Sequence, residues 1–438
     1  MYRRTSRQSL KETYFMDHMV AFEKLLYGIQ NAVRQFDAVF PSHYRRSFQL
    51  RAVIAMRSRV CSQIRLLLIS GGRLCTLLAQ RLLCFNGQCA VRDAFRLGIS
   101  ALSRRHFLDD STVTCSTIAG HYGVARSVAF DSRDQNLLAT CSRDIVKNCS
   151  CDTVKLLRFS PDGSEATCVA ILEGHSASIN TVAFYPAAPF LVTGSNDNTA
   201  KLWRISPDGW RLTATCVANL TEHSDWVLSV AFHPTALLLA TCSRDKTVKL
   251  WRFSPDDGSA ATCVATLEGH SDWVFSVAFH PTEPLLATCS RDRTVKLWRF
   301  SPEGSNATCV ATLEGHSDWV LSVAFHPLAP FLATCSRDTT VKLWHFSPDG
   351  SEATCVAILE GQGHSVISVA FHPAAPLLVI SSDNTAKLFH FSPDGLTATC
   401  VATLKLPYKS QFVLSVAFHP TAPLLATSSS DGTTKLWR

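Results

Sequence analysis

From residue 111 onward the sequence copies itself. LEGHSDWVFSVAFHPTEPLLATCSRDRTVKLWRFSPEG fills 267–304, and LEGHSDWVLSVAFHPLAPFLATCSRDTTVKLWHFSPDG fills 313–350. Aligned on the Gly-His step, the units carry His121, His175, His223, His270 and His316, then Gln362 and Lys409 in the last two. These seven positions are separated by 54, 48, 47, 46, 46 and 47 residues. A unit this short buries its apolar surface by stacking on its neighbours, so the stretch is a repeat array and not a pair of independent globular domains.

Each unit contains four short runs of strand character, typified by ATCVATL, VLSVAF, LLATCS and TVKLWRF, all bounded by turn residues. They predict a four-stranded antiparallel meander. SPDG places Pro second and Gly fourth, as a type I turn prefers. The prolines of HPTAP and HPLAP cannot donate to a sheet ladder and so belong to connections. VxSVAF is apolar or small at nearly every position, from which we expect both of its faces to be buried.

Seven such sheets stacked around an axis cover one another. The ends of the array also fit a closed ring. TTKLWR (433–438) follows a third-strand pattern with no fourth strand after it, and STVTCSTIAGH (111–121) is a fourth-strand pattern with no unit before it. Pairing the two removes the exposed edges. The expected fold is all-β: a seven-bladed β-propeller of four-stranded antiparallel blades over 111–438, closed by the N-terminal strand and preceded by a basic helical region over 1–110.

Gly-His, then about 22 residues to an Asp, then six to a Trp, resembles the WD-repeat β-propeller family. The terminal dipeptide is WR, WH or FH here and never WD, so the resemblance rests on the whole repeat. It implies a buried hydrogen-bonded tetrad within each complete blade. The matching residues are His175, Thr193, Asp197 and Trp203; His223, Thr241, Asp245 and Trp251; His270, Thr288, Asp292 and Trp298; and His316, Thr334, Asp338 and Trp344. A His, Asp and Thr could also suggest a catalytic triad, but a single active site needs no fourfold repetition, and the tetrads are read as scaffold.

Three units depart from the pattern. The first has His121, Thr140 and Asp144 but Leu157 in the Trp position, and it carries the extra stretch IVKNCSC (145–151). The seventh has Lys409 for His and keeps Thr427, Asp431 and Trp437. The sixth, EGQGHSVISVAFHP (360–373), has Gln362 in the His position and His364 where other units have Asp. It also has Phe389 for Trp, and LLVISSD is one residue shorter than LLATCSRD. We expect Asp383 alone to keep its tetrad place, His364 to face solvent, and the unit to be a worn structural copy.

The resemblance further implies that the face bearing the Gly-His loops binds partners. Positions just before the first strand and just before the tetrad Asp point outward there. They hold Trp226 with Arg244, Trp273 with Arg291, and Trp319 with Arg337, in three consecutive units; in the sixth, Ser365 and Ser382 align with them. Trp and Arg are enriched in binding hot spots, and Arg captures carboxylate or phosphate in a bidentate manner. The pairs are therefore candidate contacts for an acidic or phosphorylated peptide, with Asp225, Asp272 and Asp318 beside them to cancel part of the field. The alternative is passive inheritance from recent duplication.

Of 42 Lys+Arg and 35 Asp+Glu, residues 1–110 hold 18 and 7, a net +11, which leaves 24 and 28, a net −4, for the rest. Phe15, Met19, Phe22, Leu26, Ile29, Val33 and Phe36 form one apolar stripe, and Arg57, Arg65, Arg73 and Arg81 lie among leucines. Both stretches predict helices, which could pack, dimerise, or contact nucleic acid or anionic membrane. Most of the seventeen cysteines recur at repeat positions, such as Cys168, Cys216, Cys263, Cys309, Cys355 and Cys400, and Cys242, Cys289 and Cys335. They read as small apolar strand residues and free thiols in a reducing compartment.

No signal peptide, membrane-spanning run, phosphate-binding loop, nucleophile turn or zinc spacing appears, so no catalytic, metal or cofactor site is expected. The reading is a non-catalytic interaction scaffold or adaptor for proteins or peptides, its propeller monomeric, expected in the cytoplasm with the nucleus as alternative. Two other readings stand beside it. One is an RNA- or ribosome-associated factor using the basic segment; the other is a substrate receptor of a ubiquitin ligase, for which no convincing F-box match is present.

Overall fold

The computed structural model describes residues 115–438 apart from 122, 144–152, 161–162, 209–210, 255–257, 259–260, 360–362, 393–394, 396 and 407–410. Expectations placed on residues 1–110, the 145–151 insertion, Asp144, Gln362 and Lys409 lie outside the described residues. All regular structure among those described is strand, arranged as seven four-stranded antiparallel sheets. Blade four shows the plan: β14 (Val274–Phe279), β15 (Leu285–Ser290), β16 (Val295–Phe300) and β17 (Ala307–Leu313) pair in sequence order.

The first strands of the blades are β2 (Val124–Phe130), β6 (Ile179–Phe184), β10 (Val227–Phe232), β14, β18 (Val320–Phe325), β22 (Val366–Phe371) and β26 (Val413–Phe418). Each packs against the next, and β26 packs against β2, so the seven form a closed inner ring. Closure follows the expected route. β1 (Cys115–Gly120) pairs with β28 (Thr433–Trp437), Cys115 opposite Trp437 and Gly120 opposite Thr433, as the outermost strand of blade seven.

Burial corrects one expectation. The strand buried along its whole length is the second, LLATCS, in which Leu285, Leu286, Ala287 and Cys289 of β15 are each 0% exposed. The first strand is buried only at alternate points, Val274, Val277 and Phe279, with intermediate positions between them. It is an edge strand in every sheet, with its free side on the inner ring, and its small residues Ser and Ala suit that crowded edge. The cysteines divide in the same way. Cys141, Cys242, Cys289 and Cys335 are core residues, whereas Cys168, Cys216, Cys309, Cys355 and Cys400 sit exposed on the outermost strands, contrary to a uniformly apolar role. All eleven described cysteines are free thiols.

Two repeated devices fasten blade to blade. The SPDG turn forms as expected: Gly350 N–H donates to Ser347 O at 2.8 Å. Gly350 has φ +75°, and a Cβ there would meet Leu285 of the preceding blade at 2.9 Å, so the turn requires glycine for both conformation and packing. The His-Pro histidine supplies the second device. His280 Nδ1 accepts the N–H groups of Thr282 and Glu283 at 3.2 and 2.8 Å, while its ring lies edge-on to Phe325 and Phe346 of the next blade at 5.0 and 5.6 Å. His233, His372 and His419 repeat the arrangement, and Tyr185 occupies the place in blade two against Phe232 and Phe253.

Candidate partner-binding face

The loops of this face are held by four complete polar chains. In blade four His270 Nδ1 donates to Asp292 Oδ2 at 2.8 Å, His270 Nε2 lies 2.8 Å from Thr288 Oγ1, and Trp298 Nε1 donates to that same oxygen at 2.8 Å. The carboxylate only accepts, so His270 Nδ1 carries a proton, and the indole only donates, so Thr288 Oγ1 accepts from Trp298. With a second lone pair and its own proton, that hydroxyl can meet Nε2 as acceptor or donor. Blades two, three and five repeat the chain through His175, Thr193, Asp197 and Trp203; His223, Thr241, Asp245 and Trp251; and His316, Thr334, Asp338 and Trp344, with corresponding distances of 2.7–2.9 Å.

Sequence reasoning missed two further members. Thr294 donates its hydroxyl and its N–H to Asp292 Oδ1 at 2.7 and 2.9 Å, and Ser290 Oγ both accepts Asp292 N–H and donates to Asp272 O. The pattern S-x-D-x-T, in register in five units including Ser429, Asp431 and Thr433 of blade seven, was the available signal. Burial pushes the Asp292 carboxyl up, but donation from His270 and Thr294 outweighs it and holds the group well below the ordinary carboxylate range. Asp197 and Asp245 are lowered by the same balance. For His316, burial pushes the imidazole down against the opposing pull of Asp338, which favours a neutral ring whose Nε2 accepts from the Thr334 hydroxyl.

Above the tetrads, the Trp and Arg residues join into one stack. Arg244 lies over Trp226 at 4.7 Å and over Trp273 of the next blade at 4.1 Å; Arg291 lies over Trp273 at 4.6 Å and Trp319 at 4.5 Å; Arg337 closes the series over Trp319 at 4.5 Å. The result is an alternating ladder across three blades. Each arginine also meets the Asp of its own loop: Arg244 Nε to Asp225 at 3.5 Å, Arg291 to Asp272 at 3.6 Å and Arg337 to Asp318 at 3.7 Å. The Arg337 side chain is 50% exposed, against 31% and 33% for Arg244 and Arg291, because no further Trp covers it.

Blade six bounds the ladder, and the structure corrects its alignment. β23 (Leu377–Ser382) and β24 (Thr385–Phe391) join through a two-residue turn, with Ser382 paired to Thr385 and Asp383 at φ +52°. Ser382 pairs with Val366 as Ser243 pairs with Val227, so it occupies the serine place and not the arginine place. Asp383 is the first residue of the turn and has left the tetrad position, since deletion of one residue tightens the loop. His364 is exposed as expected and reaches Asp383 at 3.6 Å. In blade seven Phe412, overlooked in the sequence, takes the ladder Trp place: Ser430 N–H donates to Phe412 O at 2.9 Å as Arg244 N–H does to Trp226 O. Its ring is exposed.

The pattern of the family described as WD domain, G-beta repeat matches six segments: 166–204, 214–252, 261–299, 307–345, 353–390 and 398–438. Together they cover more than half of the chain. The chain belongs to the WD-repeat family. Each match opens on the outermost strand of one blade and runs through the first three strands of the next, so the WD repeat as a sequence unit straddles two blades.

Among WD-repeat relatives, the chain is similar to the ribosome biogenesis protein WDR12 homolog of Nematostella vectensis, 27% identical over 105 residues, which are 23% of this chain and 24% of that protein. It is 49% identical over 47 residues to coatomer subunit alpha of Saccharomyces cerevisiae, covering 10% of this chain and 4% of that protein. It is 31% identical over 97 residues to probable coatomer subunit beta' of Schizosaccharomyces pombe, covering 22% and 11%. The matches thus span a quarter or less of these relatives' own length. Among the described residues no helix is long and apolar enough to cross a membrane, and no three His, Cys, Asp or Glu side chains group to hold a metal.

Proposed function

We propose that this chain is a non-catalytic interaction scaffold, and that the face over blades three to five anchors a peptide segment of a protein partner. The observation that carries this reading is the continuous ladder Trp226, Arg244, Trp273, Arg291, Trp319, Arg337. Stacking fixes the planes of the guanidinium groups, so a partner meets ordered donors and indole edges at low conformational cost. Asp225, Asp272 and Asp318 approach the arginines at Nε, and the terminal Nη groups carry the donors that a carboxylate or phosphate takes.

The test is binding of the full chain to an array of acidic and phosphorylated peptides, repeated with Trp273→Ala and Arg291→Ala combined. We expect at least about a tenfold loss of affinity for the peptides retained by the parent chain, as for removal of a hot spot. Unchanged capture by the double variant rejects the ladder as the anchor.

A second reading is favoured by the +11 charge of residues 1–110, and one relative is itself named for ribosome biogenesis. An RNA contact through that segment predicts a steep fall of RNA affinity with salt, made shallower when Arg57, Arg65, Arg73 and Arg81 become Gln.

A further inference from the structure

Every blade carries a β-bulge near the start of its first strand, and the extra residue is Arg126, Asn180, Leu228, Phe275, Leu321, Ile367 or Leu414. A bulge re-aims the side chain of its extra residue, and here six of the seven are uncharged. Blade one alone places a guanidinium there. Arg126 Nε is buried and has no hydrogen-bond partner among the described residues. Beside it, one residue beyond the Ala125–Ser142 pair, Arg143 lies opposite Val124 and is exposed.

The other arginines of the blade are treated differently. Arg133 pairs with Asp131 at 2.7 Å and Arg158 with Asp134 at 3.2 Å. Neither Arg126 nor Arg143 meets a carboxylate among the described residues. The ladder arginines, too, each have an Asp and an indole face. Burial and the nearby Arg143 charge both disfavour the protonated Arg126, so the site bears an uncompensated cost.

We propose that Arg126 and Arg143 form an anion site on blade one that takes a phosphoryl group. Two guanidinium forks on adjacent paired strands offer more donors than one carboxylate can use, and a phosphate dianion supplies both the acceptors and the charge. Arg143 occupies in blade one the place that Arg244 holds in the ladder, so the site opens on the same face as the ladder, and it stands or falls independently of it.

The test is thermal unfolding of the full chain in about 20 mM inorganic phosphate against chloride of equal ionic strength. We expect phosphate to raise Tm by roughly 3 °C. Arg126→Leu, the residue of blades three, five and seven, removes this response and raises Tm in chloride; Arg143→Ala, an exposed change that spares the fold, also removes it. Arg204→Ala, a loss of one exposed charge on blade two, retains the response. A larger rise with O-phosphoserine than with phosphate assigns the group to a phosphorylated side chain, and an equal rise assigns it to the free anion; both uphold the site. The proposal is overturned if phosphate has no effect on the parent chain or the same effect on all variants. It is also overturned if the response appears only in Asp144→Asn, since the chain's own carboxylate then fills the site.

Discussion

Blades four and six share the ring, the strand order and the inter-blade packing, yet only blade four contains the chain of His270, Thr288, Asp292 and Trp298. In blade six Ile380 stands opposite Val369, where the pattern places Thr, and Phe389 stands opposite Leu378, where it places Trp. Both members of the hydroxyl–indole pair have been exchanged for apolar residues of fitting shape, and both are buried at 0% and 7% exposure. Replacing both partners of a buried hydrogen bond is nearly neutral, whereas replacing one strands the other. Blade six is therefore a coherent apolar version of the blade. Blade one solves the loss of its Trp in another way: Thr140 Oγ1 finds Thr434 Oγ1 of blade seven at 3.0 Å.

The largest effect that sharpens this comparison comes from cutting one polar chain and leaving the other blade alone. Asp292→Ala strands the imidazole of His270, the N–H of Ser271 and both donors of Thr294 in a site where the Asp side chain is 8% exposed. We expect a loss of roughly 3–5 kcal/mol by denaturant unfolding, and less than about 1 kcal/mol for Asp383→Ala, which among the described residues removes only the side-chain contact to exposed His364. Equal losses in the two variants would contradict the view that blade six does without its carboxylate.

Blade six has nevertheless kept the His-Pro device. His372 Nδ1 accepts the N–H groups of Ala374 and Ala375 at 3.1 and 2.9 Å, and its ring lies 5.0 Å from Phe418 of blade seven. Burial pushes its pKa down from 6.5 to about 4, so the fold favours the neutral ring. A depressed folded value means the stabilisation is full above pH 6.5 and is lost as pH falls through about 4. The loss is at most about 3 kcal/mol, reduced by the screening that partial exposure allows. The tetrad carboxylates are depressed below 3.8, and their contribution fades only under more acid conditions. Stability measured between pH 7 and 4 should thus fall in the parent chain, and His372→Asn should flatten the curve.

The division between what was legible and what was not follows from range. The blade count, the strand runs and the ring closure were all legible, because each is written in a period or in a strand pattern missing its partner. The four tetrads were equally legible, since His270 and Asp292 are fixed 22 residues apart by one meander. The two-residue turn at Asp383 was not, because a gap of one residue can be placed on either side of Ser382 without changing the alignment. Nor was the ladder, for stacking of Arg244 on Trp273 joins residues of different units, and within a unit the sequence shows only pairs. The burial of the second strand was hidden for a related reason: VxSVAF and LLATCS are both apolar, and only position in the sheet distinguishes them.

The smallest effect distinguishes the middle of the ladder from its end, where blade six interrupts it. Arg291 is sandwiched between Trp273 and Trp319, whereas Arg337 has Trp319 on one side and solvent on the other. A cation over an indole contributes about 0.5–1 kcal/mol at an exposed site and more when desolvated. Arg291→Ala should therefore cost about 1–2 kcal/mol and Arg337→Ala about 0.5 kcal/mol, read as the shift in denaturant midpoint. The difference tests what the ladder is. If the arginines only balance the charge of Asp272 and Asp318, the two losses are the same, because the ion pairs are nearly equal at 3.6 and 3.7 Å. If they bind blades four and five together through the rings, the inner arginine must matter more, and the ladder is a rigid surface before any partner meets it.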